Sequence, residues 1–452
     1  MRILIIGAVA AGTSAATKAR RNDEEAEIVI YEKGQHISYA GCDTPYFIGG
    51  LIADAKSLTP RSVRYFRMKY HFDIKIRHEV IDIDLAAKTL TVKDLDQDET
   101  FVDHYDKLII ATGARSVIPP IPGVEKEHVF SLRNIEDTLA IDSFITEKKP
   151  QAAAIIGSGS IGMELCDNLT RRGLKIHLIE MASHINPALD PDMSVHIEEE
   201  FMSHNVKLYK NTQAAKIEDD HVLTSDQEKI PGDLVIVAAG VRPEVTLARE
   251  AGIKLGGTGA IAVDEYLQTS DPHVYACGDC IEHFNLVTRK PAYFPLGSTA
   301  NKTGRIAGDV ITGGDLTFRG VLGTGIFKAF DLNVARTGLS ETQARAADYD
   351  IEVAHIVKPD KTTLMGGREL IIKAVADRET EKLLGVQIVG HEGVDKRMDV
   401  LVTAMTHGAK VSDLFHLDLA YSPMHSIAKD PVMYVGMVLE NAISKDKPIQ
   451  TG

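Results

Sequence analysis

Cysteine is scarce in this chain: Cys42, Cys166, Cys277 and Cys280 are the only four in 452 residues. So few, so unevenly spaced, cannot form the disulfide framework of a small secreted scaffold, and a reducing, cytoplasmic setting is the expectation. Positive charge is in deficit as well. With 64 acidic against 50 basic residues the net charge is −14, which excludes the concentrated cationic face that nucleic acid requires. The short runs Arg20-Arg21 and Arg171-Arg172 read as solvated helix ends. No apolar run reaches the roughly 18 residues of a membrane span, so no membrane partner is expected. The charged start and apolar run from Ile3 to Ala16 resemble a signal peptide only superficially, because glycine spacing accounts for them better. The 17 histidines show no H-E-x-x-H spacing. Cys277-Gly278-Asp279-Cys280 has no second pair to complete four ligands, so no metal is expected.

What the chain does have is length for two or three cores, at 44% hydrophobic composition, and two strand–glycine–helix openings. The apolar run Arg2 to Ile6 stops at Gly7 and passes into a small-residue segment, Ala8 to Ala19, of helical character. Gly7 and Gly12 belong to a G-x-G-x-x-G fingerprint whose middle glycine is replaced by Val9. The next strand ends at Glu32, 20 residues after Gly12, where a ribose hydroxyl is held in such units. A second unit starts at Ala152 to Ile156 and carries the complete fingerprint Gly157, Gly159 and Gly162, with Glu180 closing the following strand. Two such units imply two dinucleotides. Three further apolar strands stop at glycine where backbone passes close to a cofactor or turns sharply: Leu108 into Ala111-Thr112-Gly113, Leu234 into Gly240, and Val274 into Gly278-Asp279. Asp279 is placed to accept a hydrogen bond from a sugar-like chain.

This arrangement resembles the pyridine-nucleotide disulfide oxidoreductases over essentially the whole chain. The resemblance implies an α/β fold with two Rossmann-like dinucleotide-binding domains and a C-terminal α+β dimerisation domain. An FAD-binding domain would occupy residues 1–118 and 246–322, an NAD(P)H-binding domain 119–245, and the dimerisation domain 323–452. By position, Gly7, Gly12, Glu32, Ala111, Thr112, Gly113 and Asp279 would hold FAD, with Ser298 and Thr299 on the helix beside the flavin and Gly240 at a cofactor-facing strand end. Gly157, Gly159, Gly162 and Glu180 would hold the nicotinamide cofactor. Glu180 favours NADH over NADPH, since a carboxylate accepts from a 2′-hydroxyl but repels a 2′-phosphate. A homodimer is implied.

The run Ser38-Tyr39-Ala40-Gly41-Cys42-Asp43-Thr44-Pro45-Tyr46 is where the resemblance places the reacting sulfur. Ile37 and Phe47 stand where a second redox cysteine would be sought. The chain is therefore similar to the single-cysteine branch, particularly the coenzyme A disulfide and persulfide reductases, through Gly-Ala-Val-Ala at 7 to 10, Pro45-Tyr46, and the distal run Ala420 to Pro431. That likeness implies a Cys42 thiolate attacking a disulfide, persulfide or polysulfide, Tyr421 as the acid reaching across the dimer, and His425 sharing its role. The implied substrate contacts are Arg21, Ser38, Asn301 and Arg305, with coenzyme A the candidate thiol carrier. Helix dipole and flavin are expected to lower the Cys42 thiol, with Asp43 opposing. Two other readings stay open beside that of an electron-transfer reductase for a protein partner, in which Cys42 would be dispensable. One is an NADH oxidase or peroxidase cycling Cys42 through sulfenic acid, against which Ala10 stands where such enzymes carry a histidine. The other is a flavin-binding redox sensor.

Overall fold

The computed structural model describes residues 1–445; residues 446–452, assigned above to the C-terminal domain, lie outside the described residues. Its first sheet is five-stranded and wholly parallel, in the order Val274–Ala276, Lys107–Ile110, Arg2–Ile6, Glu27–Glu32, Asp73–Ile76. Its strands come from both ends of the stretch before residue 300. The strand Arg2–Ile6 is central and its apolar residues are buried, which is why it reads as a continuous apolar run instead of an alternating one.

A second five-stranded parallel sheet repeats the plan in the order Lys207–Tyr209, Lys175–Ile179, Ala152–Ile156, Leu234–Val237, Val129–Phe130. The chain leaves the first unit along Ala114–Ser116 and returns along Val241–Pro243, paired antiparallel. Each unit also carries a three-stranded antiparallel sheet inserted before its return strand. These are His78–Asp84, Thr89–Asp94 and Glu99–His104 in the first unit, and Ala214–Ile217, His221–Thr224 and Lys229–Pro231 in the second.

The helix Ala10–Asn22 starts later and runs further than the Ala8 to Ala19 segment in which helical character was expected. Its alanines let the helix Gly297–Val310 pack almost backbone to backbone. A Cβ on Gly304 or Gly308 would lie 2.2 Å from the carbonyl oxygen of Ala11 or Ala15 respectively, so glycine is required at both.

The last domain is an antiparallel five-stranded sheet, Gly325–Ala329, Leu332–Gly338, Leu383–Gly390, Glu369–Asp377 and Ile351–Pro359, sharing a core with the helices Val394–Thr406 and Pro431–Lys445. It is tied to the second unit by Lys373, almost fully buried, whose ammonium lies 2.8 Å from Asp192, 2.8 Å from Glu341 and 3.3 Å from Asp190. No helix among the described residues is long and apolar enough to cross a membrane.

Candidate active site

Both fingerprints fold into the same interlock. Gly7 has φ +104°, and a Cβ there would sit 2.4 Å from the Ala111 carbonyl oxygen; one on Gly12 would sit 1.9 Å from that of Gly7. In the second unit Gly157 has φ +106° and would clash with the Ala238 carbonyl, and Gly162 with that of Gly157. Gly159 faces open space, leaving a backbone surface that a phosphate can approach. The acids at the strand ends are held alike. Glu32 accepts from the Ala8 and Gly34 N–H groups, both at 2.8 Å. Glu180 accepts from those of Ser158 at 3.0 Å and Ala182 at 2.9 Å. Each carboxylate thus lies against the residue after the first fingerprint glycine.

Asp279 follows the strand Val274–Ala276. Its Oδ2 accepts from Arg133 Nη2 at 2.9 Å, while its Oδ1 is buried without a partner. A buried carboxylate oxygen left bare is costly, and a hydroxyl-bearing chain laid along the strand ends would satisfy it. Together with the glycine interlock, this fits the ribityl and pyrophosphate parts of FAD. Thr112 is fixed by donating to the Glu244 carbonyl at 2.6 Å. Gly113 and Gly240 take φ +73° and +93°, turning the chain away at the two strand ends. Ser298 and buried Thr299 stand in the first turn of the helix Gly297–Val310.

Cys42 lies in the short 3-10 turn Gly41–Asp43, closed by a hydrogen bond from Thr44 Oγ1 to the Gly41 carbonyl at 2.8 Å and running on into the helix Thr44–Ile48. It is exposed; Cys166, Cys277 and Cys280 are buried, and none of the four is bonded to another. The expectation of a lowered thiol is overturned for the protein's own groups. Enough protein surrounds the sulfur that desolvation leads in pushing the Cys42 thiol up; Glu164, Asp43 and Asp279 add to it, and only Arg133 pulls it down. The five-residue helix after it is too short to supply the expected dipole.

The Glu164 side chain comes from the second unit's helix Ser160–Arg171 and accepts from Tyr46 Oη at 3.0 Å. Burial pushes its carboxyl up to about 7, against the Tyr46 hydrogen bond and with a smaller push from Asp167. Neither Glu164 nor Arg133 was foreseen. The Arg133 signal is the following Asn134, which caps the helix Ile135–Lys148 by accepting from the Asp137 N–H at 2.7 Å and so fixes where Arg133 stands.

Arg21, Ser38, Asn301 and Arg305 come together. They line one cleft of about 470 Å³ with Lys18, Arg61, Tyr39 and Ala10, and no acid is among the lining residues. Lys18 is paired with Asp309 at 2.9 Å, and the Arg21 guanidinium lies 5.8 Å from the Tyr70 ring centre. Ser38 and Tyr39 lead directly into the Cys42 turn. Tyr421 and His425 are elsewhere in the same chain, exposed on the dimerisation domain. The Cys277-x-x-Cys280 pair sits inside the first core, where the Cys280 thiol points at the Cys277 carbonyl, 3.2 Å away.

Two dinucleotide cradles side by side, with one exposed cysteine at the edge of the first, define a nicotinamide-dependent flavoprotein oxidoreductase. Family models agree: residues 1–294 match pyridine nucleotide-disulphide oxidoreductase and residues 325–431 its dimerisation domain. The chain belongs to that family, and it is FAD- and NAD(P)H-dependent. It is 35% identical over 444 residues to an NAD(P)H sulfur oxidoreductase (CoA-dependent) of Pyrococcus furiosus, covering 97% of this chain and 99% of the relative. A coenzyme A disulfide reductase of Staphylococcus epidermidis is 33% identical over 438 residues, covering 96% and 99%. Among solved structures, reduced CoADR-RHD of Bacillus anthracis superposes with a TM-score of 0.96 at 39% identity, covering 98% of this chain and 81% of that one.

Proposed function

We propose that this protein is a homodimeric, cytoplasmic reductase of low-molecular-weight disulfides, persulfides or polysulfides of the coenzyme A type, working through Cys42. The observation that carries the reading is that the one exposed cysteine follows closely on Ser38 and Tyr39, which line a cleft bearing Lys18, Arg21, Arg61 and Arg305. A cationic cleft of that kind suits a polyanionic thiol carrier, since guanidinium groups pair well with phosphate. The names of the relatives point to the same substrates. Ala10, on the cleft wall, offers a methyl group that neither donates nor accepts a proton, which disfavours peroxide chemistry. Glu180 favours NADH as the reductant.

FAD, when bound, supplies a two-electron carrier between the nicotinamide and sulfur. The Cys42 thiolate attacks one sulfur of the substrate, the S–S bond breaks, and the departing thiolate takes a proton from the partner subunit's Tyr421, with His425 placed to share that task. Cys42 keeps the other half as a mixed disulfide or persulfide. Two electrons and one proton then release it and restore the thiolate. The balance is NADH, one proton and one disulfide giving NAD⁺ and two thiols.

The test is anaerobic reduction of wild type and Cys42→Ser by NADH, followed by separate challenge with coenzyme A disulfide, coenzyme A persulfide, polysulfide and peroxide. Wild type should take up electrons beyond those of the flavin and be rapidly reoxidised by a sulfur substrate, with Cys42→Ser inert to it. Equal reoxidation of both proteins would overturn the reading, and fast turnover of peroxide alone would replace it with the peroxidase reading.

A further inference from the structure

The segment that carries Tyr421 and His425 has no helix or strand between Leu417 and Asp430. Tyr421, Pro423, Met424 and His425 are exposed on it, while Ser426 and Asp430 are buried. Both buried residues converge on one guanidinium. Arg397, on the helix Val394–Thr406, is wholly buried and donates to Asp430 from Nε and Nη2, each at 3.1 Å, and to Ser426 Oγ at 3.2 Å. Ser426 Oγ in turn donates to Asp430 Oδ2 at 2.6 Å. Arg397 Nη2 reaches the Asp360 carbonyl at 2.7 Å, at the start of the loop whose Leu364 is 91% exposed. Thr362 Oγ1 joins the two loops directly by donating to the Pro423 carbonyl at 3.2 Å.

A buried ion pair contributes little net stability, and apolar residues of similar volume often serve as well or better. What a guanidinium adds is a rigid planar fork of donors that fixes several partners at set angles, which a lysine ammonium cannot reproduce. The partners fixed here are the two buried anchors of an otherwise irregular, exposed loop and the root of its neighbour.

We propose that Arg397 is a positioning residue for the sulfur chemistry: its fork on Asp430, Ser426 and the Asp360 carbonyl sets the 417–430 loop so that Tyr421 meets the Cys42 cleft of the second subunit. This rests on the reading above that Tyr421 acts across the dimer. Arg397 touches no reacting atom and acts only through the loop.

The test is a double-mutant cycle on the FAD-loaded dimer with coenzyme A disulfide, crossing Arg397→Lys and Ser426→Ala with Tyr421→Phe. Ser426→Ala removes one arm and leaves the Arg397–Asp430 pair, so it decides the matter should Arg397→Lys fail to fold. Each positioning variant should lower kcat about fivefold or more with KM within about twofold, and cause no further loss in the Tyr421→Phe background, as for residues acting through one group. Flavin reduction by NADH and the dimer mass should not change in the positioning variants. If Ser426→Ala keeps wild-type kcat, or its loss multiplies with that of Tyr421→Phe, the proposal fails while the Tyr421 assignment stands. If Tyr421→Phe is itself as fast as wild type, the across-dimer assignment fails and takes the proposal with it.

Discussion

Replacing Glu164 by glutamine tests the electrostatics of the site. Burial moves this carboxyl from its ordinary 4.5 to about 7, and at 1.36 kcal/mol per tenfold that is an ionisation cost of roughly 3 kcal/mol before allowance for its partial exposure. The sign follows from linkage: an acid raised on folding costs nothing below its unfolded value, and the folded state loses stability as pH rises through its folded value. Wild type should therefore lose about 2 kcal/mol between pH 5 and pH 8 that Glu164→Gln does not lose, other groups cancelling in the comparison. The glutamine carbonyl can still accept from Tyr46, so the hydrogen bond at 3.0 Å is conserved in kind. Urea unfolding of both FAD-loaded proteins at the two pH values and one protein concentration measures the difference. Alkylation of Cys42 by iodoacetamide supplies the second readout. Loss of the Glu164 charge, which follows desolvation among the influences raising that thiol, should move the inflection of rate against pH downward. Parallel stability changes together with an unmoved inflection would show that Glu164 is neither a buried acid nor a neighbour felt by the sulfur.

Two further outcomes are expected. Gly12→Ala, with its Cβ placed 1.9 Å from the Gly7 carbonyl oxygen, should force the first fingerprint apart, costing roughly 1–3 kcal/mol or more and yielding protein depleted of flavin, read by its absorbance and by Tm. Arg21→Ala combined with Arg305→Ala should raise KM for coenzyme A disulfide about tenfold or more through lost charge-assisted contacts, and leave polysulfide turnover near wild type; equal loss on both substrates would refute the cleft's role.

The parts of the fold readable beforehand are those where backbone must touch backbone. Gly7 with Gly12, and Gly157 with Gly162, sit where any side chain would strike a carbonyl, so the glycine spacing carries the geometry directly. The buried strands show as unbroken apolar runs for an equally local reason. The second unit's inserted antiparallel sheet left no comparable mark, since short strands such as Ala214–Ile217 and Lys229–Pro231 offer too few residues for an alternation to register. At the site, Cys42 could be singled out because the family resemblance places the reacting sulfur in its run, and the lack of a neighbouring cysteine pointed to the single-cysteine branch. Of its controlling groups only Asp43, its sequence neighbour, could be read beforehand. Tyr46 meets Glu164 across 118 positions and Arg133 meets Asp279 across 146, and only the packing of the two units brings them together. Lys18 and Arg61, which complete the cleft begun by Arg21 and Arg305, lie within the first unit but far apart in sequence from Arg305, and only the folding of that unit gathers them.

The groups around Cys42 oppose one another in a way that bears on how its reactivity varies with pH. Asp43 and Asp279 raise the thiol from the first unit, and Arg133, which lowers it, is engaged with Asp279 at 2.9 Å. Glu164 differs because it comes from the second unit and its own proton leaves at about 7. Below that pH Glu164 is largely neutral and its hold on the sulfur is released. Above it the new carboxylate pushes the thiol up just as rising pH would draw its proton off. The two ionisations are therefore anticooperative, and the thiolate fraction climbs with pH less steeply than for an isolated cysteine. An exposed thiol coupled in this way keeps a more even reactivity across neutral pH, and the coupling exists only while the second unit's helix is docked against the Cys42 turn.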